Sequence, residues 1–252
     1  MRRAMILVPF AGLVSALQAC AIKGAMPADA SLGTGPAASE GWHDVPLPGK
    51  RPTRYAQAHK DGRVCIHARA DGSASMWRRK VNVSADQLGR ARWNWRVDRL
   101  NAQASVADVD REDAVARVIF AFDGDRSRLS ARNRAMFDLA RALTGEEPPY
   151  ATLMYVWSNH LPVGTVVNNR RTDRIRKLVI QSGAAGVNRW QDYERDIRAD
   201  YERVFGAAPG ALKAVALMTD TDNTASEVKA WYGPVVFEPR AALRRGGGTR
   251  LA

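Results

Sequence analysis

The stretch Lys213 to Phe237, KAVALMTDTDNTASEVKAWYGPVVF, decides the fold. Its apolar run Ala214 to Met218 reads as a buried strand. The polar segment Thr219-Asp220-Thr221-Asp222-Asn223-Thr224 ends that run, and Val228 to Phe237 resumes a β-rich pattern. A strand, a loop carrying two carboxylates and an amide, and a closing strand predict a sheet protein whose last hairpin-like unit holds polar chemistry at its turn.

Working outward, the same signature recurs. Ala114 to Phe122, AVARVIFAF, is apolar except for Arg117, as a central strand covered on both faces should be. Ala151 to Ser158 is a second buried strand, and Gly164 to Val167 and Arg174 to Gln181 follow it. Arg92 to Leu100 alternates: Trp93, Trp95 and Val97 face one way and Arg92, Asn94, Arg96 and Asp98 the other, which places both tryptophans in the core. Val64 to Ala68 ends at Asp71-Gly72, a hairpin signal, and Ala74 to Val83 returns. Three prolines between Trp42 and Tyr55 suit an extended edge segment. Two stretches carry helical spacing instead. Leu129 to Leu143 has Ser130 as a cap and Gly145 as a stop, and the second runs from Asn188 as N-cap through Trp190, Tyr193, Ile197, Tyr201, Val204 and Phe205 to Gly206. Strands that do not alternate with helices exclude βαβ units. The expectation is a mostly β protein, a two-sheet jelly-roll-like β-sandwich with two inserted α-helices.

The totals bound the rest. The chain has 252 residues, 46% of them hydrophobic, enough for one substantial core, and a formal charge of +12 that is mostly arginine. Such a surplus favours anionic partners, or is simply an arginine-rich solvated surface. Arg2 and Arg3 followed by the apolar stretch Met5 to Leu17 read as an export signal. Leu17-Gln18-Ala19-Cys20 resembles the bacterial lipobox, which implies a diacylated Cys20 and a membrane anchor through the N-terminal lipid; the alternative is plain secretion with cleavage near Ala28-Asp29-Ala30. Residues 1–20 are therefore the expected signal, 21–40 a flexible linker, 41–238 the sandwich domain and 239–252 a disordered basic tail. Either route of export places the domain on the periplasmic side of the bacterial envelope and disfavours nucleic acid as a partner. Cys65, left without a disulfide partner, is expected to be a buried thiol, although His67 shares its strand face.

The motifs LPGKRPTRY, WNWRV, EDAVARVIFAFD, PPYATLMYVWS and WQDYERDIRADYERVFG, with MTDTDNT followed by AWYGPVVF, occur in this order between Trp42 and Phe237. Together they resemble a bacterial family known as a domain of unknown function, DUF3047. The family name implies no activity. A looser, fold-level resemblance is to galactose-binding-like jelly rolls, including carbohydrate-binding modules, which likewise end in a strand, an Asp-bearing loop and a closing strand.

The chemistry to look for follows from the loop and the aromatics. Asp220, Asp222 and Asn223 offer the hard oxygens that calcium takes, so a structural calcium is one expectation and a self-bonded turn the other. An EF-hand is excluded because Ala225 and Trp231 stand where Gly and Glu would be needed. Asp220-Thr221-Asp222 also has the DxD spacing of sugar-nucleotide transferases, but no nucleotide-binding α/β half precedes it. Arg117 needs a carboxylate, with Asp113, Asp220 and Asp222 as candidates, and is either a structural ion pair or the floor of a ligand cleft. Tyr155, Trp157 and Trp231 are candidate sugar platforms. The candidate ligand-binding set is thus Asp113, Arg117, Tyr155, Trp157, Asp220, Asp222, Asn223 and Trp231, with no catalytic residue assigned and no cofactor beyond the possible calcium. The leading functional expectation is a non-catalytic envelope protein binding a glycan or other anionic envelope component. A polysaccharide hydrolase or lyase on the same fold, or a protein assembly module, are the alternatives.

Overall fold

The computed structural model describes residues 31–32 and 41–240. The expected export signal, Cys20, nearly all of the linker and the basic tail beyond Arg240 lie outside the described residues. In chain order the strands are β1 (Ser31–Leu32), β2 (Trp42–Pro46), β3 (Arg54–Lys60), β4 (Arg63–Asp71), β5 (Ser75–Val83), β6 (Arg90–Val97) and β7 (Arg117–Phe122). After helix α1 (Ala131–Thr144) come β8 (Ala151–Ser158), β9 (Val166–Asn168), β10 (Ile175–Ser182) and β11 (Gln191–Asp196). Helix α2 (Ile197–Phe205) then leads to β12 (Leu212–Met218), β13 (Glu227–Tyr232) and β14 (Val235–Glu238).

The strands form two seven-stranded sheets, a jelly-roll-like sandwich. In the first, β3 pairs β4, β4 pairs β13, and β13 and β14 lie end to end along one side of β6 while β11 takes its other side. Between β13 and β14 the register on β6 slips by one residue at Gly233-Pro234. Glycine leaves room there: a Cβ on Gly233 would stand 1.9 Å from the Asn94 side-chain oxygen and displace that side chain. The second sheet runs β2-β5-β12-β7-β8-β10-β9, with β8 and β10 parallel.

The core lies between the sheets. Alternation aims Ile66, Trp93, Trp95, Ala230 and Tyr232 inward from the first sheet and Phe120, Leu153, Tyr155, Trp157 and Leu217 from the second. Trp93 and Trp95 are buried as their spacing predicts, at 3% and 0% exposure. Trp93 packs on Tyr155 with ring centroids 5.0 Å apart, and Trp95 on Trp157 at 6.4 Å, so aromatic pairs tie one sheet to the other. Free Cys65 is buried, as expected.

Three local expectations are corrected. Asp71-Gly72 does not close a hairpin: β4 belongs to the first sheet and β5 to the second, and the chain crosses between them through the small buried residues Ser73, Ala74 and Ser75. The hairpin is made instead by Asp61-Gly62 between β3 and β4, where φ of +50° and +77° supplies the turn that Asp-Gly favours. The second helix is half as long as its periodicity suggested. Gln191 to Asp196 is a strand on β6, with Asp192, Glu194 and Asp196 exposed in alternation, and Asp196 rather than Asn188 caps the helix by accepting from the Ala199 amide. The first helix starts after Ser130 and stops at Gly145 as read from sequence.

Candidate functional site

The outer face of the second sheet carries a groove of about 750 Å³. The strand registers dictate its floor. Across β5, β12, β7, β8 and β10, one row of outward side chains reads Met76, Met218, Arg117, Val156, Val179; the next reads Arg78, Ala216, Ile119, Met154, Lys177; the third reads Lys80, Ala214, Ala121, Thr152, Ile175. Alanine at three adjoining positions leaves the sheet face unfilled, and this hollow is the groove. Ile119, Ala216, Met218, Met76 and Met154 join in an apolar cluster separate from the main core. The walls are charged. Glu146 answers Arg78 at 2.8 Å and Lys80 at 3.4 Å, and Glu147 answers Arg126 at 2.7 Å. Arg170 and Arg171 line the groove beside β10 and have no carboxylate partner among the described residues.

One end of the groove is a buried polar network, and here the opening stretch of sequence finds its place. The Arg117 guanidinium donates from Nη2 to Asp220 Oδ2 at 2.8 Å and to the Glu112 carbonyl at 2.6 Å. Asp220 Oδ1 also accepts from the Ala114 amide at 3.0 Å. Both partners of the ion pair are 4% exposed, and burial pushes the Asp220 carboxyl up to about 7 against the pull of Arg117. Arg117 Nε has no hydrogen-bond partner among the described residues. Lys177, 1% exposed, donates to Glu112 Oε1 at 2.7 Å and to the Val106 carbonyl, and burial together with the nearby Arg117 charge lowers its amine to about 8. Asp113 holds the loop itself: it accepts from the amides of Asn223 at 3.2 Å and Thr224 at 2.9 Å and from the Thr224 hydroxyl at 2.5 Å. Inside the same loop the Thr219 hydroxyl bonds Tyr232 Oη at 2.7 Å and the Val115 carbonyl at 3.0 Å, which locks the closing strands together.

The structure therefore brings together Asp113, Arg117, Asp220 and Asp222 and separates the aromatics from them. Ligand atoms of Asp113, Asp220 and Asp222 lie within 4.8 Å of one another, a spacing a cation could span. Their charges are already answered, Asp220 by Arg117 and Asp222 by Lys50, and Asp113 spends its oxygens on the loop. Asn223 lies in the same loop, its side-chain nitrogen donating to the Val109 carbonyl at 3.4 Å. Tyr155 and Trp157 do share a strand face, but it is the core face: they are 0% and 1% exposed, so neither ring can meet a ligand. Their polar atoms are satisfied inside, Tyr155 donating to Asp200 at 2.8 Å and Trp157 to the Gly183 carbonyl at 3.0 Å. Trp231 stands on the outer face of the first sheet, away from the groove. His67 stacks on it at 5.0 Å, and Lys60 and Arg96 sit 5.0 and 5.2 Å from its centroid. The residues missed from sequence, Ala121, Ala214, Ala216, Met154 and Lys177, gave no motif; only a two-residue alternation within strands marked them as one face.

A profile of the family described as "Protein of unknown function (DUF3047)" matches residues 40–236, and the chain belongs to that family. No curated protein is significantly similar in sequence. Among solved structures the fold is similar to the family 11 carbohydrate-binding module of cellulase Lic26A-Cel5E from Clostridium thermocellum, at 8% identity and a TM-score of 0.41, covering 84% of this chain and 95% of that one. It is also similar to a family 12 xyloglucanase from Bacillus licheniformis, at 6% identity and a TM-score of 0.42 over 84% and 100% of the two chains. Endoglucanase 3 of family GH12 from Trichoderma harzianum matches at 7% identity and a TM-score of 0.39 over 85% and 98%.

Proposed function

We propose that this member of the DUF3047 family is a non-catalytic binding protein of the bacterial cell envelope, and that its groove takes an anionic glycan or another anionic envelope component. The distribution of charge around the groove carries the reading. Of the lining carboxylates, Glu112, Glu146, Glu147, Asp220 and Asp222 each face a cation, which leaves Asp123 without one among the described residues. Arg170 and Arg171, in contrast, are exposed and make no ion pair among the described residues. Acetal hydrolysis by the usual route needs a protonated and an ionised carboxyl group facing each other across the substrate, whereas five of the six lining carboxylates here each face a cation. The same pairing supports a site that attracts anions without reacting with them. Envelope placement rests on the export signal, with Cys20 as the lipidated residue.

The test is binding of purified envelope polysaccharide and of cell-wall sacculi by the full chain, beside the double variant Arg170→Glu, Arg171→Glu. Binding should weaken with salt and fall at least tenfold in the double variant. Equal binding by both proteins would remove the groove as the site, and release of soluble sugar would make the protein an enzyme. For the anchor, Cys20→Ser should free the protein from membranes; continued membrane association would count against lipidation.

A further inference from the structure

We infer that the anion held by the groove is the head of an amphiphile, with a single unbranched apolar chain laid across the sheet and the head group at Arg170 and Arg171. The inference rests on the reading of the groove as an anion site and specifies what the anion is joined to. Three features of the groove point the same way.

The first is the floor. Half-buried Met76 and Met154, packed over the buried side chains of Ile119, Ala216 and Met218, form one apolar surface reaching from β8 to β5. These side chains offer no hydrogen-bond partner to a sugar hydroxyl, and a buried hydroxyl left unpaired opposes binding. The second is the absence of a ring platform. Phe122 is the sole aromatic residue of the lining among the described residues, and it is fully buried with its ring in the main core. Sugar faces therefore have nothing flat to pack on. Methionine, which is unbranched and adapts its rotamers, suits a flexible chain instead.

The third feature is polarity along the groove. The Asn169 amide donates to the Ile175 carbonyl, so Arg170 and Arg171 flank the β10 end of the floor, and Arg132 of α1 donates to the Arg170 carbonyl there at 2.8 Å. Neither Arg132, Arg170 nor Arg171 has a carboxylate partner among the described residues. Guanidinium groups gathered at one end of an apolar trough complement a phosphate or carboxylate head with a chain behind it. From β8 to β5 the floor crosses three strand spacings, roughly 14 Å at about 4.8 Å each. An extended acyl chain fits that length.

The probe is decyl phosphate below its micellar concentration, titrated calorimetrically into the full chain, with octyl phosphate, decanol and inorganic phosphate as comparators. Each added CH2 that reaches the floor should tighten binding about fourfold, so decyl, with two more, should bind about fifteenfold more tightly than octyl phosphate. Decanol and inorganic phosphate should each bind at least tenfold more weakly than the joined molecule. Ala216→Phe should fill the trough and weaken decyl phosphate at least tenfold, and Arg170→Ala with Arg171→Ala should do the same through the head. Melting curves equal to wild type confirm that the variants fold, and binding through the N-terminal segment would survive both substitutions. Affinity independent of chain length, or unmoved by Ala216→Phe in a folded variant, overturns the inference. If an anionic oligosaccharide alone binds and is lost in Ala216→Phe, the groove remains the anion site and the amphiphile is wrong. If neither probe responds to the groove variants, both readings fall.

Discussion

Lys177 is the most exacting place to test this account, because a lysine buried at 1% exposure cannot be neutral in its effect on stability. Its amine lies between the Glu112 carboxylate, 2.7 Å away, and the Val106 carbonyl. Burial and the Arg117 charge bring it from 10.5 down to about 8 in the folded chain, Glu112 opposing them. Between those two values the unfolded lysine keeps its proton while the folded one has lost it. The unfolded state then binds more protons, so stability must rise with pH across that window. Going from about pH 7 to about pH 9.5, the gain is about 2 kcal/mol. Lys177→Met deletes the titrating group and should delete the gain. The assay is urea unfolding of both proteins at the two pH values, with the difference of differences as the readout. Phenols that burial raises, such as Tyr193 at about 12, titrate above the window and are common to both proteins. Equal pH responses would refute the buried, proton-losing lysine. A wild type that loses stability relative to the variant as pH rises would reverse the sign.

Three further outcomes follow from the same geometry. Asp220→Ala leaves the Arg117 charge buried without its carboxylate and should cost about 3–5 kcal/mol, whereas Arg117→Met combined with Asp220→Leu should recover most of that loss by calorimetry; a single variant as stable as wild type would show that the pair is open to water. Asp113→Ala removes the acceptor of the Asn223 and Thr224 amides and should cost about 1–3 kcal/mol, with faster hydrogen exchange at those two amides and unchanged exchange in β7. Uniformly faster exchange would mean that Asp113 supports the whole fold rather than the loop. Trp93→Ala truncates a core side chain that touches Tyr155, Phe120 and Tyr193 and should cost about 3–5 kcal/mol. An unchanged melting temperature would overturn its placement.

Elements whose identity depends on local spacing were legible in the chain, and those that depend on partners were not. Ser130 and Gly145 bound the first helix because a cap and a left-handed stop act on their own turn. Tyr193 and Ile197 also stand four apart, yet Gln191 to Asp196 is a strand, because the neighbouring edge of β6 offers a full ladder that local propensity cannot weigh. The two Asp-Gly pairs make the point more sharply. Asp61-Gly62 and Asp71-Gly72 have the same turn chemistry, and Gly72 also has a positive φ, but one joins paired strands and the other changes sheets. What separates them is Ser73-Ala74-Ser75, small enough to pass through the interior with the Thr53 and Ser75 groups hydrogen-bonded to each other.

The candidate site divides along the same line. A lone arginine in an apolar strand demands a carboxylate, so the pairing of Arg117 with one of three acids followed from desolvation alone. The choice of face for an aromatic did not. Tyr155 and Trp157 alternate with Thr152, Met154 and Val156 on a strand that is apolar on both sides, and period-two spacing cannot say which set meets the core. The answer lies across the sheet. Ala214 and Ala216 of β12 and Ala121 of β7 fall beside Thr152 and Met154 only once the registers align them, and three short side chains in one patch leave the hollow that no single strand announces. The larger set, Val215, Leu217, Phe120 and Tyr155, then has the volume to fill the interior. Residue size summed over neighbouring strands, rather than hydrophobicity along one of them, is what tells groove from core in this sandwich.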